Sequence, residues 1–453
     1  MTSPSFTGRR VVVAGVGVTG SAVTRALVDL GAWIVVVDGG DGPKQQSAAE
    51  ELRALGAQVR LGDDTTMVDA DLVVATPGMR PDHALFTAAR SAGVEVVGEP
   101  ELAWRLRADD AGPWLGVTGT NGKTTTVGML EAILRAAGLR TIAAGNVGLA
   151  LVDAVRARPA YDVLAVEMSS FQLAWSPSPQ FAAGGLLNIA EDHLDWHDTM
   201  AAYVEAKTRI WAGGIAIGNA DDDVVAAALP AGGRTFSLTD ASAHYAMSDG
   251  AIVENATGTR VIRVDELQVR GPHNVANAMA AAALARAYDV PVAAVHTGLV
   301  GYAPGRHRNE LVARVADVDY VDDSKATNPH AAAASLSAYP HVVWIAGGML
   351  KGADVDQLVA AHAHRLRGAV LIGKDRAAIA DALARHAPDV PVVDVAATDT
   401  GAMQTAVREA ATIARPGDTV LLAPSAASWD IFRDYAERGD LFAAAARALP
   451  ECA

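Results

Sequence analysis

Short apolar runs alternate with amphipathic stretches along all 453 residues, and this alternation constrains the fold more than any other feature of the sequence. Runs such as RRVVVAGVG, WLGVTGT and DTVLLAPS are typical of buried strands, and VGMLEAILRAAG is typical of the helices between them. Strands that alternate with helices predict parallel sheets that are covered by helices. We therefore expect an α/β protein.

The chain is too long for one core, and its length favours about three domains. Two stretches, RADDAGP and VGYAPGRHRNE, are typical of domain boundaries because they concentrate charge, glycine and proline. We predict domains at residues 1–110, 111–303 and 304–453. The strand runs predict a Rossmann-like N-terminal domain, a central P-loop ATPase-like domain with a mostly parallel sheet, and a Rossmann-like C-terminal domain.

Composition excludes several classes of partner. Asp and Glu number 52 against 37 Lys and Arg, a net charge of −15 that argues against a nucleic-acid partner. The sequence starts without an apolar signal-peptide region, and no later run approaches the roughly 20 apolar residues of a membrane span. The single cysteine, Cys452, leaves no internal disulfide. We expect a cytoplasmic protein with no membrane partner.

A first glycine-rich loop follows the first strand. Gly15, Gly17 and Gly20 form G-x-G-x-x-G, and Asp38 ends the next strand. Such a turn delivers a helix N-terminus to a pyrophosphate and places an acid near a hydroxyl group, which first suggests a nicotinamide cofactor. The same motif also occurs where a strand merely packs against a helix. The triphosphate-loop motif described next disfavours a redox enzyme, because redox enzymes rarely also carry such a loop.

The sequence GTNGKTTT resembles a phosphate-binding loop, although Val117 stands where the usual G-x-x-x-x-G-K-[ST] pattern has its first glycine. The shorter spacing keeps the backbone amides, the Lys123 ammonium and the Thr124 hydroxyl that bind phosphate and Mg²⁺. A glycine turn with a surface lysine is the simpler alternative. The strand before the loop and the amphipathic helix after it favour a triphosphate site.

Acidic and imidazole side chains follow two further strands, in VEMSSFQL and NIAEDHLDWH. Open α/β sheets bind ligands at this edge, and oxygen and nitrogen donors there suit a hard metal ion. Alternatives remain, because a lone Glu after a strand often caps a helix and D-H-x-D-x-H also occurs in solvated loops or zinc sites. The candidate ligands are Glu167, Asp192, His193 and Asp195.

Lys207 lies on an apolar helical stripe in TMAAYVEAKTRIW, together with Met200, Tyr203 and Ile210. The pattern alone favours snorkelling, in which the stem is covered and the ammonium reaches water. The alternative is a buried lysine whose charge is chemically altered, because a bare ammonium beside Mg²⁺ would be repelled.

The C-terminal third carries three cations at strand ends, Arg308, Lys325 and Lys351, and Asp323 and Thr327 flank the second of them. Scattered basic residues are usually surface residues. Placed after successive parallel strands, these cations would form a pocket for small carboxylates and phosphates. The residues together indicate an ATP-using enzyme with an anionic substrate.

In combination, the motifs resemble the Mur ligase family of ATP-dependent amide-forming enzymes. The resemblance runs in order over essentially the whole chain, through GTNGKTTT, EMSSFQL, NIAEDHLDWH, YVEAK, GPHNVANA, RHR, DDSKATNP, KGAD and ASWDIF-x-x-Y-x-x-RG. The runs SSFQL and DDSKATNP are similar to the branch that adds D-glutamate. This resemblance implies that ATP phosphorylates the carboxylate of UDP-N-acetylmuramoyl-L-alanine, that the amine of D-glutamate attacks the acyl phosphate, and that the three domains bind the UDP substrate, ATP with Mg²⁺, and D-glutamate.

The resemblance also implies residue roles. ATP would be held by residues of the phosphate loop and of the two later domains, namely Gly119, Thr120, Asn121, Gly122, Lys123, Thr124, Thr125, Asn277, Arg308 and Asp323. The magnesium ligands would be Thr124, Glu167, His193 and Lys207, the last as a carbamate formed with CO₂. Catalysis would depend on Lys123, Glu167, His193, Lys207 and Arg308. The two other substrates would contact Val18, Thr19, Asp38, Asn146, Lys325, Thr327, Lys351, Ser428, Trp429 and Tyr435.

On this interpretation the first glycine loop binds a uridine nucleotide, and the nicotinamide hypothesis is withdrawn. We also expect a monomer with a hinge near YAPGR. Three rivals stay open: a related ligase that joins another amino acid or extends folate, an oxidoreductase supported only by residues 11–38, and a nucleotide-binding module without catalysis.

Overall fold

The computed structural model describes residues 5–269 and 271–450, and Cys452 lies outside them. The chain divides into two compact units, formed by Met1–Glu266 with Ala276–Gly301 and by Leu267–Val275 with Tyr302–Ala453. Three sheets with flanking helices confirm the predicted α/β class. The domain boundaries at 110 and 303 and the hinge stay predictions. No helix in the described part of the chain is long and apolar enough to cross a bilayer.

The first sheet is wholly parallel. Its strands are β1 Arg10–Ala14, β2 Trp33–Asp38, β3 Gln58–Leu61, β4 Leu72–Ala75 and β5 Val96–Gly98. Its helices are α1 Val18–Asp29, α2 Pro43–Ala54, α3 Ala84–Ser91 and α4 Glu99–Leu106. The order β3-β2-β1-β4-β5 reverses between β1 and β4. The loops after these two strands therefore flank the crevice in which doubly wound sheets bind ligands.

The second sheet has nine strands and is mostly parallel, as predicted. Its strands are β6 Trp114–Thr118, β7 Thr141–Gly145, β8 Val163–Glu167, β9 Phe181–Leu186, β10 Gly213–Asn219, β11 Arg234–Phe236, β12 Tyr245–Ser248, β13 Ala251–Glu254 and β14 Thr259–Arg263. Its helices are α5 Lys123–Ala136, α6 Leu151–Ala154, α7 Ser170–Ala174, α8 Leu194–His197, α9 Met200–Thr208, α10 Asp223–Ala228, α11 Pro272–Ala287 and α12 Val292–Gly301. The order is β14-β13-β12-β11-β10-β9-β6-β8-β7, and the antiparallel pairings involve β13.

Strand β6 and helix α5 place the phosphate loop at the middle of this sheet. Every residue of β6 is buried, and the strand pairs with β8 on one side and β9 on the other. Helix α5 buries the apolar stripe that its sequence predicted, including Val127, Leu130 and Leu134. Because parallel strands end at one edge, the loops after β6, β8 and β9 lie next to one another.

The third sheet lies in the second unit. Its strands are β15 Glu310–Val315, β16 Val318–Asp322, β17 Val342–Gly347, β18 Leu366–Ile372, β19 Val392–Asp394 and β20 Thr419–Leu422. Its helices are α13 Pro329–Ser337, α14 Asp356–His362, α15 Arg376–His386, α16 Gly401–Ile413 and α17 Tyr435–Arg447. The order is β15-β16-β20-β17-β18-β19, and β15 alone runs antiparallel to its neighbour. The carboxyl ends of β16, β20 and β17 are therefore adjacent.

Two buried carboxylates of α4 join the first sheet to the second within the first unit. Glu99 Oε1 accepts a hydrogen bond of 2.8 Å from the Val152 amide in α6. Glu101 accepts one of 2.9 Å from the Ser178 amide and pairs with Arg105. One apolar cluster also contains buried residues of both sheets. The first two glycine-bearing loops are thus parts of a single packed body.

Candidate active site

The phosphate loop connects β6 to α5 through a left-handed glycine. Gly122 has φ +83° and precedes the first residue of α5. A Cβ atom at this position would lie 2.4 Å from Asn277 Oδ1, so space as well as conformation requires glycine here. The helix opens directly after this turn and directs its unpaired amides toward the loop.

The loop's lysine is folded over the loop itself. Lys123 Nζ donates hydrogen bonds of 2.8 Å to the carbonyl oxygens of Gly119 and Thr120. Thr124 and Thr125 follow in the first turn of α5. The ammonium and the helix N-terminus therefore occupy one short segment, which is the arrangement that binds a polyphosphate.

Two residues that the sequence interpretation missed brace this loop. Asn188, after β9, accepts from the Asn121 amide at 2.8 Å and donates to its carbonyl at 3.1 Å. The Tyr203 hydroxyl lies 3.0 Å from Thr120 Oγ1. Asn188 follows a strand within a quoted motif, a signal that could have identified it. Tyr203 was assigned to an apolar stripe, where its hydroxyl gave no separate signal.

Glu167, the last residue of β8, presents a buried acceptor at the same edge. The residue is 1% exposed. Its Oε1 accepts a hydrogen bond of 2.7 Å from Asn146 Nδ2, whereas its Oε2 is buried without a hydrogen-bond partner. A buried unpaired carboxylate oxygen is costly unless a ligand satisfies it. Asn146 was predicted to contact substrate, and its side chain here orients Glu167.

His193 follows β9 in a left-handed conformation, with φ 57°. Its ring lies against the Phe171 ring at a centroid distance of 4.7 Å, and Nε2 lies 3.5 Å from Asp192 Oδ2. Partial burial lowers the pKa of His193, against the opposing attraction of Asp192. A neutral imidazole is the form that coordinates metals.

Lys207 is buried, and the snorkelling explanation is wrong. The residue is 1% exposed, and its Nζ donates a 2.8 Å hydrogen bond to the Gly119 carbonyl instead of reaching water. The ammonium also lies 4.7 Å from the centroid of the Tyr203 ring. The stem of Lys207 points inward because Tyr203 and Ile210 on the same stripe are buried. The helical pattern predicted the buried face correctly but not the end point of the side chain.

Burial is the main cause that lowers the pKa of Lys207 well below its usual value. Repulsion by Lys123 lowers this pKa further, and Asp192 and Glu167 oppose the shift. The structure therefore brings the phosphate loop, Glu167, His193 and Lys207 into one electrostatic environment. The unpaired Glu167 oxygen in this environment fits a hard divalent cation such as Mg²⁺.

The first glycine loop is shaped by contacts of its own backbone. A Cβ atom at Gly20 would lie 1.9 Å from the Gly15 carbonyl oxygen. Asp38 Oδ2 accepts from the Val16 amide and Oδ1 from the Gly40 amide, both at 2.9 Å. Val18, at the start of α1, is 85% exposed. Asp38 thus fixes the loop, while Val18 and Thr19 occupy the exposed helix N-terminus.

In the second unit, the two lysines predicted to bind carboxylates each lie over an aromatic ring. Lys325 Nζ is 3.9 Å from the Tyr435 ring centroid, and Lys351 Nζ is 4.4 Å from that of Trp429. Trp429 is 64% exposed. These cation–π contacts help to hold both ammonium groups in place. Ser428 is buried beside Trp429, and the Thr327 amide donates to the Lys325 carbonyl at 2.8 Å.

Arg308 stands between His307 and Asn309, both of which have left-handed φ values of 64° and 49°. A 2.7 Å contact between His307 Nδ1 and Asp322 Oδ2 anchors this segment to the end of β16. Next to Asp322, the buried Asp323 carboxylate accepts from the Ser335 hydroxyl. Burial raises the pKa of Asp323 to about 6, and the Ser335 hydrogen bond opposes the rise.

A phosphate loop at the centre of a mostly parallel sheet places the chain among the α/β proteins built around such a loop. Residues 9–98 match the Mur ligase MurD-like N-terminal domain, residues 117–285 the Mur ligase middle domain, and residues 307–426 the Mur ligase glutamate ligase domain. The UDP-N-acetylmuramoylalanine–D-glutamate ligase of Streptomyces avermitilis is 52% identical, with 98% of this chain and 99% of the relative covered. That of Thermobifida fusca is 53% identical with the same coverage.

Solved structures of low sequence identity share the fold. UDP-N-acetylmuramate-alanine ligase MurC of Thermotoga maritima matches with a TM-score of 0.61 at 18% identity, covering 97% of this chain and 99% of that one. MurF of Acinetobacter baumannii matches with a TM-score of 0.61 at 19% identity, covering 91% and 90%. The chain belongs to the Mur ligase family, and the resemblance inferred from its motifs is confirmed.

Proposed function

We propose that this chain is an ATP-dependent ligase that joins the amino group of D-glutamate to the terminal carboxylate of UDP-N-acetylmuramoyl-L-alanine, in the cytoplasmic synthesis of peptidoglycan precursors. The relatives named UDP-N-acetylmuramoylalanine–D-glutamate ligase, 52% and 53% identical over nearly the full length, support this substrate pair. The monomeric state predicted from sequence stays a prediction.

One observation supports the proposed activation of a carboxylate by ATP. The phosphate loop with Lys123 shares its environment with a buried, unpaired Glu167 oxygen and with the buried Lys207. A carboxylate is a poor electrophile at neutral pH, and phosphorylation turns one of its oxygens into a leaving group. A site that binds a triphosphate beside groups suited to a divalent cation supports this kind of activation.

The proposed reaction has two steps. A carboxylate oxygen of the alanyl group attacks the γ-phosphorus of ATP, and the bond from that phosphorus to the bridging oxygen of ADP breaks. The amine nitrogen of D-glutamate then attacks the carbonyl carbon of the acyl phosphate. The tetrahedral intermediate loses inorganic phosphate, and the nitrogen loses a proton to give the amide.

The first unit would hold ATP and the UDP substrate. Lys123 and the amides of residues 119–125 would bind the β- and γ-phosphates, and Asn277 would contact the nucleoside part beside Gly122. Magnesium, when bound through Thr124, Glu167 and His193, would neutralise charge on the transferring phosphate. The exposed N-terminus of α1, with Val18 and Thr19, would meet the diphosphate of the UDP substrate in the loop that Asp38 shapes.

Lys207 would act as a carbamate. Its neutral amine attacks CO₂, the new N–C bond gives a carbamate anion, and the nitrogen releases one proton. The burial of Lys207 and the proximity of Lys123 support this change, because they disfavour a second ammonium in the site. The product offers an oxygen ligand where an ammonium would repel a metal ion.

The second unit would bind D-glutamate and would also contribute contacts to ATP. Lys325 and Lys351 would bind the two carboxylates, with Thr327 and Ser428 as hydroxyl donors. The rings of Trp429 and Tyr435 would support the lysines. Arg308 would contact phosphate, and Asp323, like Asn277, would contact the adenosine part.

The test is phosphate release from ATP with Mg²⁺, bicarbonate and UDP-N-acetylmuramoyl-L-alanine, across a panel of D- and L-amino acids. We expect release with D-glutamate alone and a product that is one glutamyl residue heavier by mass spectrometry. Release with another amino acid would keep the ligase chemistry and refute the substrate. Absence of release with every amino acid, together with a fluorescence change of NADH on titration, would favour the oxidoreductase.

A further inference from the structure

Arg438 is a fully buried arginine in the second unit, and none of the roles assigned so far involves it. It lies in the first turn of α17 and is 0% exposed. Its hydrogen bonds go to neutral oxygens: Nε donates to Ser324 Oγ at 2.9 Å and Nη2 to the Ser324 carbonyl at 2.8 Å. Nη1 donates to the carbonyls of Ala426 at 3.0 Å and Gly347 at 3.5 Å. Burying a cation on neutral acceptors costs free energy.

The acceptors lie at the carboxyl end of β17 and in the loops that follow β16 and β20. Ser324 directly precedes Lys325 in the first loop. Gly347 is the last residue of β17, and the loop after it carries Lys351. Ala426 belongs to the third loop, two residues before Ser428. A single guanidinium therefore contacts each of the three loops that carry a side chain predicted to bind D-glutamate, or the strand residue directly before it.

Two further contacts tie the same loops together. Met349 and Ala427 exchange backbone hydrogen bonds of 2.8 and 3.0 Å between the second and third loops. Ser324 Oγ, besides accepting from Arg438, donates to the Tyr435 carbonyl at 2.7 Å. The Tyr435 ring in turn lies under Lys325. The loops, the lysine and the ring thus form one connected network with the guanidinium at its centre.

We propose that Arg438 is a positioning residue, whose planar guanidinium sets the spacing of the three loops and thereby of the groups that bind the two carboxylates of the amino-acid substrate. The inference rests on the proposed function for the identity of that substrate. Arginine is required because its five donors lie in one rigid plane and point in different directions. A lysine at this position would place one ammonium against the same loops, with neither the reach nor the fixed angles.

The test compares R438M and R438K with R447M. Arg447 lies on the same helix, and its Nε donates to a single carbonyl, that of Val312, away from the three loops. We expect the KM for D-glutamate to rise about 30-fold in R438M and about 10-fold in R438K, because displacement of binding groups by about 1 Å costs up to about 100-fold. The KM for the UDP substrate should change little, whereas the thermal stability of R438M should fall, because the buried oxygens lose their hydrogen-bond donor. R447M should match the wild type.

A third variant, R438A, allows a chemical rescue experiment that distinguishes positioning of the substrate-binding groups from a purely structural role. In R438A, added guanidinium ions should lower the KM for D-glutamate in a saturable way and leave the wild type unaffected. An unchanged KM in folded R438M or R438K would overturn the proposal. Failure of all three variants to fold would also overturn it, because the residue would then serve stability. If the wild type uses another amino acid, the proposed function fails, and the same variants are measured with that amino acid.

Discussion

Two loops of this protein join a strand to a helix through glycines, and they meet different physical demands. In the loop after β1, Gly20 is needed because a Cβ atom would lie 1.9 Å from the Gly15 carbonyl oxygen. In the loop after β6, Gly122 is needed because its φ is +83° and its neighbour is the Asn277 side chain. The first glycine allows close packing of helix against strand, and the second allows a turn.

The two loops differ most in the charged side chains that surround them. Around the first, Asp38 already accepts from two backbone amides and is committed to the loop's shape. Around the second, Glu167 keeps an unpaired oxygen, and the cations Lys123 and Lys207 meet at the Gly119 carbonyl. A glycine pattern therefore identifies a helix N-terminus that can hold an anion. The side chains at neighbouring strand ends decide whether chemistry takes place there.

Removal of the charge from the second loop should have the largest effect. We expect K123M to reduce ATP-dependent phosphate release about 1,000-fold, since loss of one preorganised donor costs about 100- to 1,000-fold. K44M is the control, because Lys44 is an exposed lysine of α2. Steady-state phosphate release and a melting curve for each variant check this. If K123M released phosphate at a rate within tenfold of the wild type, the claim that the second loop is the site of the chemistry would be refuted.

Alanine in place of glycine separates packing from conformation in the first loop. G20A forces the Gly15 carbonyl to move, and we expect a loss of about 3 kcal/mol in unfolding free energy together with weaker binding of the UDP substrate. G17A is the matched variant, because Gly17 has φ −67° and no atom within 4 Å of an added Cβ. Its cost should stay near 1 kcal/mol or less. Equal melting curves for G20A and G17A would contradict the packing role.

Several features of the site could be predicted because they depend on local order in the sequence. Apolar runs located the strands, and glycines and polar residues after them located the sheet edge that carries Lys123 and Glu167. No strand was predicted between residues 213 and 263, where β10 to β14 lie, because β10 is rich in glycine and β11 to β14 are short and contain charged or hydroxyl-bearing residues.

Other features depend on partners distant in sequence. The Gly119 carbonyl that receives the Lys207 ammonium is 88 residues away, so the helical stripe suggested snorkelling. Ser324 is 114 residues from Arg438, and Asn188 is 67 residues from Asn121. Periodicity shows which face of a helix is buried. It does not show which polar group meets the end of a long side chain.

The second loop can be tested with the same kind of substitution. G122A combines left-handed strain, about 1–3 kcal/mol, with a contact on Asn277. G138A introduces the left-handed strain alone, because Gly138 follows α5 at φ +79° and an added Cβ would meet nothing within 4 Å. We expect a larger loss of stability in G122A than in G138A, and a KM for ATP raised about tenfold in G122A only, since a misplaced phosphate-binding group weakens substrate positioning. A raised KM in G138A would show that helix strain, and not the Asn277 contact, affects the loop.

The smallest effect concerns Glu99, which links the sheets that bear the two loops. Burial raises the pKa of Glu99 to about 7, although the hydrogen bond from the Val152 amide opposes the rise. The folded state therefore binds this proton more tightly than the unfolded chain, and stability falls as the pH rises from about 4.5 to 7. E99Q mimics the protonated form. We expect wild type and E99Q to unfold alike near pH 4, below the unfolded pKa. At pH 8 we expect E99Q to be more stable by about 1–2 kcal/mol, since one pKa unit corresponds to about 1.4 kcal/mol.

Glu101 provides the matched control, and the stability of each variant is measured by denaturant unfolding at the two pH values. Glu101 is buried on the same helix but pairs with Arg105 at 2.9 Å, so E101Q should lose stability at both. Because Glu99 contacts neither loop directly, its neutralisation should leave the KM for ATP and for the UDP substrate unchanged. A pH-independent difference between wild type and E99Q would contradict the raised pKa. A change in either KM would show that the junction at α4 couples the two loops, which would then no longer act as separate binding sites.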